Sequence, residues 1–247
     1  REPGREERDL STIRLGLVAG APVSEELIRR IRNEMCPTLL VAYSLTETAS
    51  AVSITRPSES VEKQLYTVGR VLPDTEIRVL DLDGTILPEE SLGEIAVRGP
   101  GVMKGYYRQP GETSQAVDED GYFLTGDLGI VDDDGYVHIV GRRKELIIRG
   151  GFNVYPREVE DRIHSHPAIQ DVAVVGLPHD VLGEVVCACI VPIEGAIVTG
   201  AEVKEWCRAA LADYKVPDLV RFLDSFPLTG SGKVRRVDLA RMITAEE

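Results

Sequence analysis

Asp127 follows a Thr-Gly turn in YFLTGDL (122–128), and a basic cluster, Gly141-Arg142-Arg143-Lys144, comes after it along the chain. A carboxylate accepts hydrogen bonds from both hydroxyls of a diol, and a guanidinium donates in a fixed fork. An acid and a base on neighbouring turns therefore suit a sugar diol beside a phosphate. The loop Arg149-Gly150-Gly151-Phe152-Asn153 adds a glycine-paired turn with a positive edge. From residue types alone this stretch is a candidate nucleotide site. Its other reading is two solvated turns flanking a β-hairpin.

A second group lies near the C-terminus, Pro227-Leu228-Thr229-Gly230-Ser231-Gly232-Lys233. It fails as a phosphate-binding Walker loop. That loop needs a glycine where Pro227 stands, and Ser or Thr after Lys233, where the chain has Val234. The segment reads instead as a lysine on a flexible turn, reaching a site made elsewhere, or as a solvated loop. Cys187 and Cys189 stand two apart in a strand-like run and point to one face, so buried core is the favoured reading. His164 and His166 fall at a helix end with a spacing that does not align them on one helical face. Neither a zinc site nor a disulfide framework is expected.

The elements that must position these residues form two groups. An α/β portion opens with an apolar strand, Ile13 to Val18, and a turn, Gly20-Ala21-Pro22. A helix follows from about Ser24 to Met35, with Glu25 and Glu26 suited to its positive N-terminus. A strand from Thr38 to Ala42 leads into Tyr43-Ser44-Leu45-Thr46-Glu47. Between Val68 and Val140, strand-like runs alternate with Gly, Pro and Asp, which predicts a β-rich subdomain of hairpins. After Lys144 the pattern changes. Pro156 opens a helix, the strands DVAVVGL and EVVCACIVP follow, then the helix AEVKEWCRAALADY, the strand VRFLDSF and a terminal helix. The expected architecture is α/β plus α+β. Residues 1–143 would be the C-terminal part of a large α/β domain with its β-rich subdomain, and 144–247 a small α+β lid domain.

Composition narrows the partners. A net charge of −13 argues against nucleic acid, which needs a basic stripe. No apolar run reaches the roughly 18 residues of a transmembrane segment. The polar start REPGREERDL has no signal-peptide core, so a cytoplasmic location is expected. The first residue is not Met, which fits a piece of something longer.

Five blocks in fixed order carry a family resemblance: YSLTE (43–47), GEIAVRGPGVMKGYY (93–107), YFLTGDL (122–128), GRRKELIIRGGFNVYPREVE (141–160) and PLTGSGK (227–233). Together they resemble the C-terminal half of AMP-forming acyl-CoA synthetases. These belong to the adenylating superfamily that also holds luciferases and peptide-synthetase adenylation domains. The resemblance runs from about Thr12 to Arg241, with Ser44 where the family usually has glycine.

The resemblance implies a two-step ligase. A carboxylic acid and ATP give an acyl-adenylate and pyrophosphate, and the thiol of coenzyme A then displaces AMP. A fatty acid is the expected substrate. By the same resemblance, Gly20, Ala21 and Pro22 would line the adenine slot, with Ser44 beside it, and Tyr43 would stack on the base. Thr46 would contact the α-phosphate and Glu47 would help hold Mg2+. Asp127 and Arg142 would take the ribose hydroxyls, and Lys233 would bridge the substrate carboxylate and the α-phosphate. Lys144 matches the hinge residue, and Gly150, Gly151 and Phe152 the wall of the coenzyme A tunnel. The family's Ser/Thr/Gly-rich phosphate loop has no counterpart in residues 1–42. The chain is therefore expected to need a missing N-terminal part of the same protein, and to be inactive alone. Two alternatives stand beside this reading: an acid–AMP ligase that loads a carrier protein, and a truncated homologue that binds nucleotide without turnover.

Overall fold

A short β–α–β crossover opens the chain. Strand β1 (Gly16–Ala19) leads through helix α1 (Glu25–Glu34) to β2 (Leu39–Leu45), which lies parallel to β1 with Gly16 opposite Leu39 and Ala19 opposite Ala42. Helix α1 places Glu25 and Glu26 in its first turn and buries Ile28, while Arg29–Glu25 and Arg30–Glu34 pair along its outer face. The run Leu39–Tyr43 is buried residue after residue, as a strand covered on both faces must be. Strand β3 (Ser50–Ile54), helix α2 (Val61–Tyr66, capped by the Ser60 hydroxyl) and strand β4 (Arg70–Val71) complete a sheet ordered β1-β2-β3-β4. The computed structural model of the chain describes residues 8–21, 23, 25–230 and 232–245. It divides into two compact units, 1–139 and 140–247.

The hairpin region forms a second sheet, whose last strand runs across the division at residue 139. It holds β5 (Glu76–Leu80), β6 (Gly93–Arg98), β7 (Phe123–Val131) and β8 (Val137–Arg142) in that order, with helix α3 (Pro110–Ala116) between β6 and β7. Alternate residues of β6 serve different faces. Ile95 and Val97 join Tyr43, Val52 and Val79 in one core, while Ala96 joins Leu80 and Tyr122 in another.

In the second unit, β9 (Ile147–Arg149) and β10 (Phe152–Val154) form a tight hairpin ahead of helix α4 (Pro156–His164). Then come β11 (Ile169–His179), β12 (Gly183–Pro192), helix α5 (Gly200–Arg208), β13 (Leu219–Phe222) and helix α6 (Arg236–Ala245). The sheet runs β10-β9-β12-β11, with β13 parallel to β12. The period of two in β11 and β12 builds two cores. Val172, Val174, Val186, Ala188 and Ile190 pack with Val159 and Ile163 of α4 and Val203 and Cys207 of α5. Ala173, Val175, Val185, Cys187 and Cys189 pack with Leu239 and Ile243 of α6. Cys187 and Cys189 thus share one face in the core, as their spacing implied.

Three boundaries differ from the sequence expectation. Strand β1 begins at Gly16 rather than Ile13, because its partner β2 begins only at Leu39. Strand β2 continues past Ala42 to Leu45, because β3 pairs with Tyr43, Ser44 and Leu45 across a bulge. Helix α5 stops at Arg208 rather than near Tyr214. The Ala209 N–H closes the last turn on Glu205 O and Cys207 O, and Asp213–Lys215 forms a separate 3-10 turn.

Candidate functional site

Parallel strands β1 and β2 end at the same sheet edge, the place where open α/β sheets take ligands. Gly20 and Ala21 follow β1 there and are exposed, with Gly20 at φ +81°. Pro22 lies outside the described residues. Tyr43 lies opposite a bulge in β3, where the register skips Val52, and Ser44 beside it is half-buried.

The ring of Tyr43 is buried in the core formed with Val52 and Ile95, and its hydroxyl donates to Asp127 Oδ2 at 2.7 Å. Asp127 is only 4% exposed. Thr125 Oγ1 donates to Ile95 O at 2.6 Å and accepts from the Asp127 N–H at 3.1 Å. Gly126 between them has φ +71°, a conformation costly for any side chain with a Cβ. The Thr-Gly-Asp order thus has a mechanical reason. Threonine ties the turn down, glycine bends it, and aspartate emerges beside the Tyr43 phenol.

Thr46 and Glu47 stand in a 3-10 turn, Thr46–Thr48, directly after β2. The next two residues, Ala49 and Ser50, both have positive φ, at 53° and 116°. Strain of this kind costs of order 1–3 kcal/mol per residue and persists only where the surroundings over-determine it. Thr48 Oγ1 lies 3.1 Å from Leu45 O and 3.0 Å from Ser50 O, bracketing the turn. Glu47 is fixed from another side: Tyr106 Oη donates to Glu47 Oε1 at 3.0 Å, and Met103 N–H donates to Glu47 O at 2.8 Å. Burial, and then Glu47 itself, push the Tyr106 phenol above its ordinary pKa, so it stays a donor. Among the described residues no group of three His, Cys, Asp or Glu stands close enough to hold a metal ion. A single carboxylate such as Glu47 fits Mg2+ chemistry, because that ion takes one or two carboxylates and draws its other oxygens from phosphates and water.

The second unit carries the remaining candidates. Arg142 ends β8 and is exposed. Lys144 is exposed in a 3-10 turn, Arg143–Glu145. Gly150 and Gly151 make the β9–β10 turn with φ +57° and +84°, and the exposed Phe152 ring stacks on Tyr214 at 4.8 Å. Arg149 anchors the other side of that turn. Its Nε and Nη2 donate to Asp218 at 2.8 and 2.6 Å, and Val186 N–H donates to the same carboxylate. Burial pushes the Asp218 carboxyl up, but these donors outweigh it and hold it below its ordinary range. Lys233 is exposed on a turn that is closed rather than slack. Thr229 N–H donates to Lys233 O at 2.7 Å, and Lys233 N–H donates to Thr229 Oγ1 at 3.1 Å.

Two features escaped the sequence reading. Arg236, three residues after Lys233, donates to both oxygens of Glu160 at 2.5 and 3.1 Å and to Val174 O at 2.9 Å. Its Nε also faces Glu145 at 3.2 Å, so one guanidinium ties the start of α6 to the turn that holds Lys144. Glu94 is the second: it is 5% exposed and its Oε1 accepts from the Gly126 N–H at 2.9 Å. A charged residue opening an apolar run, as in GEIAV, was the available signal.

With this geometry in view, comparison with known proteins is direct. The AMP-binding enzyme family model matches residues 1–107, and the model of the AMP-binding enzyme C-terminal domain matches 158–233. The chain belongs to the AMP-binding enzymes, the adenylating superfamily. It is 40% identical over 240 residues to the mitochondrial medium-chain acyl-CoA ligase ACSF2 of Macaca fascicularis, covering 96% of this chain and 39% of that protein. It is 40% identical over 234 residues to the putative acyl-CoA synthetase YngI of Bacillus subtilis (strain 168), covering 94% and 42%. The ATP-bound crystal structure of MatB from Rhodopseudomonas palustris superposes with TM-score 0.85 at 37% identity, covering 92% of this chain and 44% of that one. The chain thus spans about two fifths of the length of the curated relatives it matches. No helix among the described residues is long and apolar enough to cross a membrane.

Proposed function

We propose that this chain is the part of an AMP-forming carboxylic acid–CoA ligase that holds the nucleotide and carries the lid, with a fatty acid as substrate. The observation that carries the reading is the buried Asp127 carboxylate, aimed by a bulged turn and braced by the Tyr43 hydroxyl at 2.7 Å. A carboxylate held in this way is preorganised for a vicinal diol, here the ribose 2′- and 3′-hydroxyls, with Arg142 as the second contact. Gly20, Ala21, Pro22 and Ser44 would border the adenine, and Tyr43 would offer it a ring.

In the first half-reaction an oxygen of the substrate carboxylate bonds to the α-phosphorus as the bond to pyrophosphate breaks. Lys233 would stand between the two anionic groups, and Thr46 would donate to the α-phosphate. Glu47, held by Tyr106, would supply one oxygen to the Mg2+ that accompanies ATP and screens its phosphate charge. In the second half-reaction the sulfur of coenzyme A bonds to the acyl carbon, AMP leaves, and the thiol proton passes to solvent. The turn Gly150-Gly151-Phe152 would line the approach of that thiol, and Lys144 would be the hinge between the two arrangements. The names of the relatives support an acyl-CoA ligase, and that of the mitochondrial one supports a medium-chain acid.

The test is an assay of the natural full-length polypeptide for acid-dependent exchange of pyrophosphate into ATP and for acyl-CoA formation, with octanoate as first substrate. Asp127→Ala is expected to reduce both by raising the KM for ATP. Exchange activity without acyl-CoA formation from any free acid would instead point to a carrier-protein acceptor.

A further inference from the structure

We propose that Glu94 is the positioning residue for Asp127, and that it sets how tightly the site grips the sugar hydroxyls of a nucleotide. The proposal rests on Asp127 being the ribose ligand. Strands β6 and β7 pair Gly93 with Gly129 and Glu94 with Leu128, but the next pair is Ala96 with Leu124. Ile95 alone therefore stands opposite Thr125, Gly126 and Asp127, where a regular ladder would offer one residue. A bulge of this size leaves backbone N–H groups without ladder partners. The Asp127 N–H is satisfied by Thr125 Oγ1 at 3.1 Å, and the Gly126 N–H by Glu94 Oε1 at 2.9 Å.

The face on which Glu94 acts follows from alternation along β6. Ile95 points into the core that contains Tyr43, so Glu94 and Ala96 point to the opposite side. Glu94 therefore braces the turn from behind, while Asp127 reaches the Tyr43 hydroxyl in front. Two carboxylates, 5% and 4% exposed, flank a single glycine. Burying a carboxylate is costly unless it is well hydrogen-bonded, and a neutral acceptor could satisfy the same N–H. The side-chain length of glutamate is thus the property this position needs: enough to cross from β6 to the bulge.

The experiment titrates the natural full-length polypeptide with AMP and with 2′,3′-dideoxy-AMP by calorimetry, and reads the ratio of the two affinities. The parent is expected to favour AMP by about 10-fold or more, the scale of hydrogen bonds to a charged group. Glu94→Asp, too short to reach Gly126, is expected to collapse that ratio to within about threefold of unity and to leave dideoxy-AMP binding unchanged. Glu94→Gln keeps length and acceptor, so it retains the ratio. Thr125→Val cuts the other tie of the same bulge and collapses the ratio too, which keeps the test decisive if Glu94→Asp does not fold. A ratio that survives Glu94→Asp, or equal weakening of both nucleotides, overturns the positioning role. A parent that binds both nucleotides equally overturns the ribose role of Asp127, and the proposal with it.

Discussion

The hydroxyl of Tyr43 and the carboxylate of Asp127 stand 84 residues apart in sequence and 2.7 Å apart in space. The bond joins the strand that ends at the parallel sheet edge to the bulge in the neighbouring hairpin sheet. It fixes a buried carboxylate, and so couples the two sheets of the first unit at the candidate site.

Tyr43→Phe removes that donor and leaves the ring. A buried hydrogen bond to a charged group contributes about 1.5–3 kcal/mol. Urea denaturation is expected to show a loss of this order, with AMP binding weakened several-fold in the same variant. Unchanged stability together with unchanged AMP affinity would mean that the bond braces nothing.

Asp132 offers a test that depends on pH. Its Oδ2 accepts from Lys63 Nζ at 2.7 Å and lies 3.1 Å from His138 Nε2, and its Oδ1 accepts from the Tyr136 N–H at 2.8 Å. Burial raises its pKa, but these partners outweigh it and bring the carboxyl from 3.8 down to about 2. A group whose pKa is depressed by folding stabilises above its unfolded pKa, and that stability is lost as pH falls through the folded value. Asp132→Asn should therefore cost on the order of 2 kcal/mol at pH 7. The gap between parent and variant should shrink from about pH 4 toward pH 2. Denaturation curves with a constant gap across that range would contradict the assignment.

Lys233→Ala separates the two half-reactions. Loss of one preorganised charge partner costs on the order of 100- to 1,000-fold in rate. In the natural full-length polypeptide this variant is expected to lose acyl-adenylate formation by that factor. It should still convert a supplied acyl-adenylate to acyl-CoA at close to the parent rate. Survival of both steps would reduce Lys233 to a solvated turn residue.

Lys144→Pro is expected to do the reverse. Proline fixes φ near −65°, and a hinge has to absorb a large backbone change in few residues. The Arg236–Glu145 contact at 3.2 Å anchors the residue next to Lys144 to α6, which confines any rotation to the residues before it. Thioester formation should slow while adenylation stays near the parent rate, measured separately by stopped-flow release of AMP and of pyrophosphate. Equal loss of both would rule out a hinge at this residue.

The parts of the molecule written in local pattern were legible in its sequence. Strands β11 and β12 announce themselves as long apolar runs, α4 opens on Pro156, and the blocks around Asp127 and Lys233 stand in family order. Features settled by distant partners were not. Where β1 begins depends on where β2 offers hydrogen bonds. The Tyr43–Asp127 bond joins segments with no shared periodicity. Glu94 lies within an otherwise apolar strand, and only the register of β6 on β7 reveals what it holds.

Cys36, Cys187, Cys189 and Cys207 are all buried, and none of them forms a disulfide. Within 187–189 the thiols lie in the sheet core, and burial pushes the Cys207 thiol up to about 11, far from the reactive thiolate. A protein proposed to pass acyl groups to a free thiol thus presents none of its own from this region. Mixed disulfides between coenzyme A and this part of the folded chain have no exposed sulfur to form on. An aromatic disulfide reagent added to a native reaction would accordingly count the carrier's sulfhydryl as it is consumed, with this region adding no background until it unfolds.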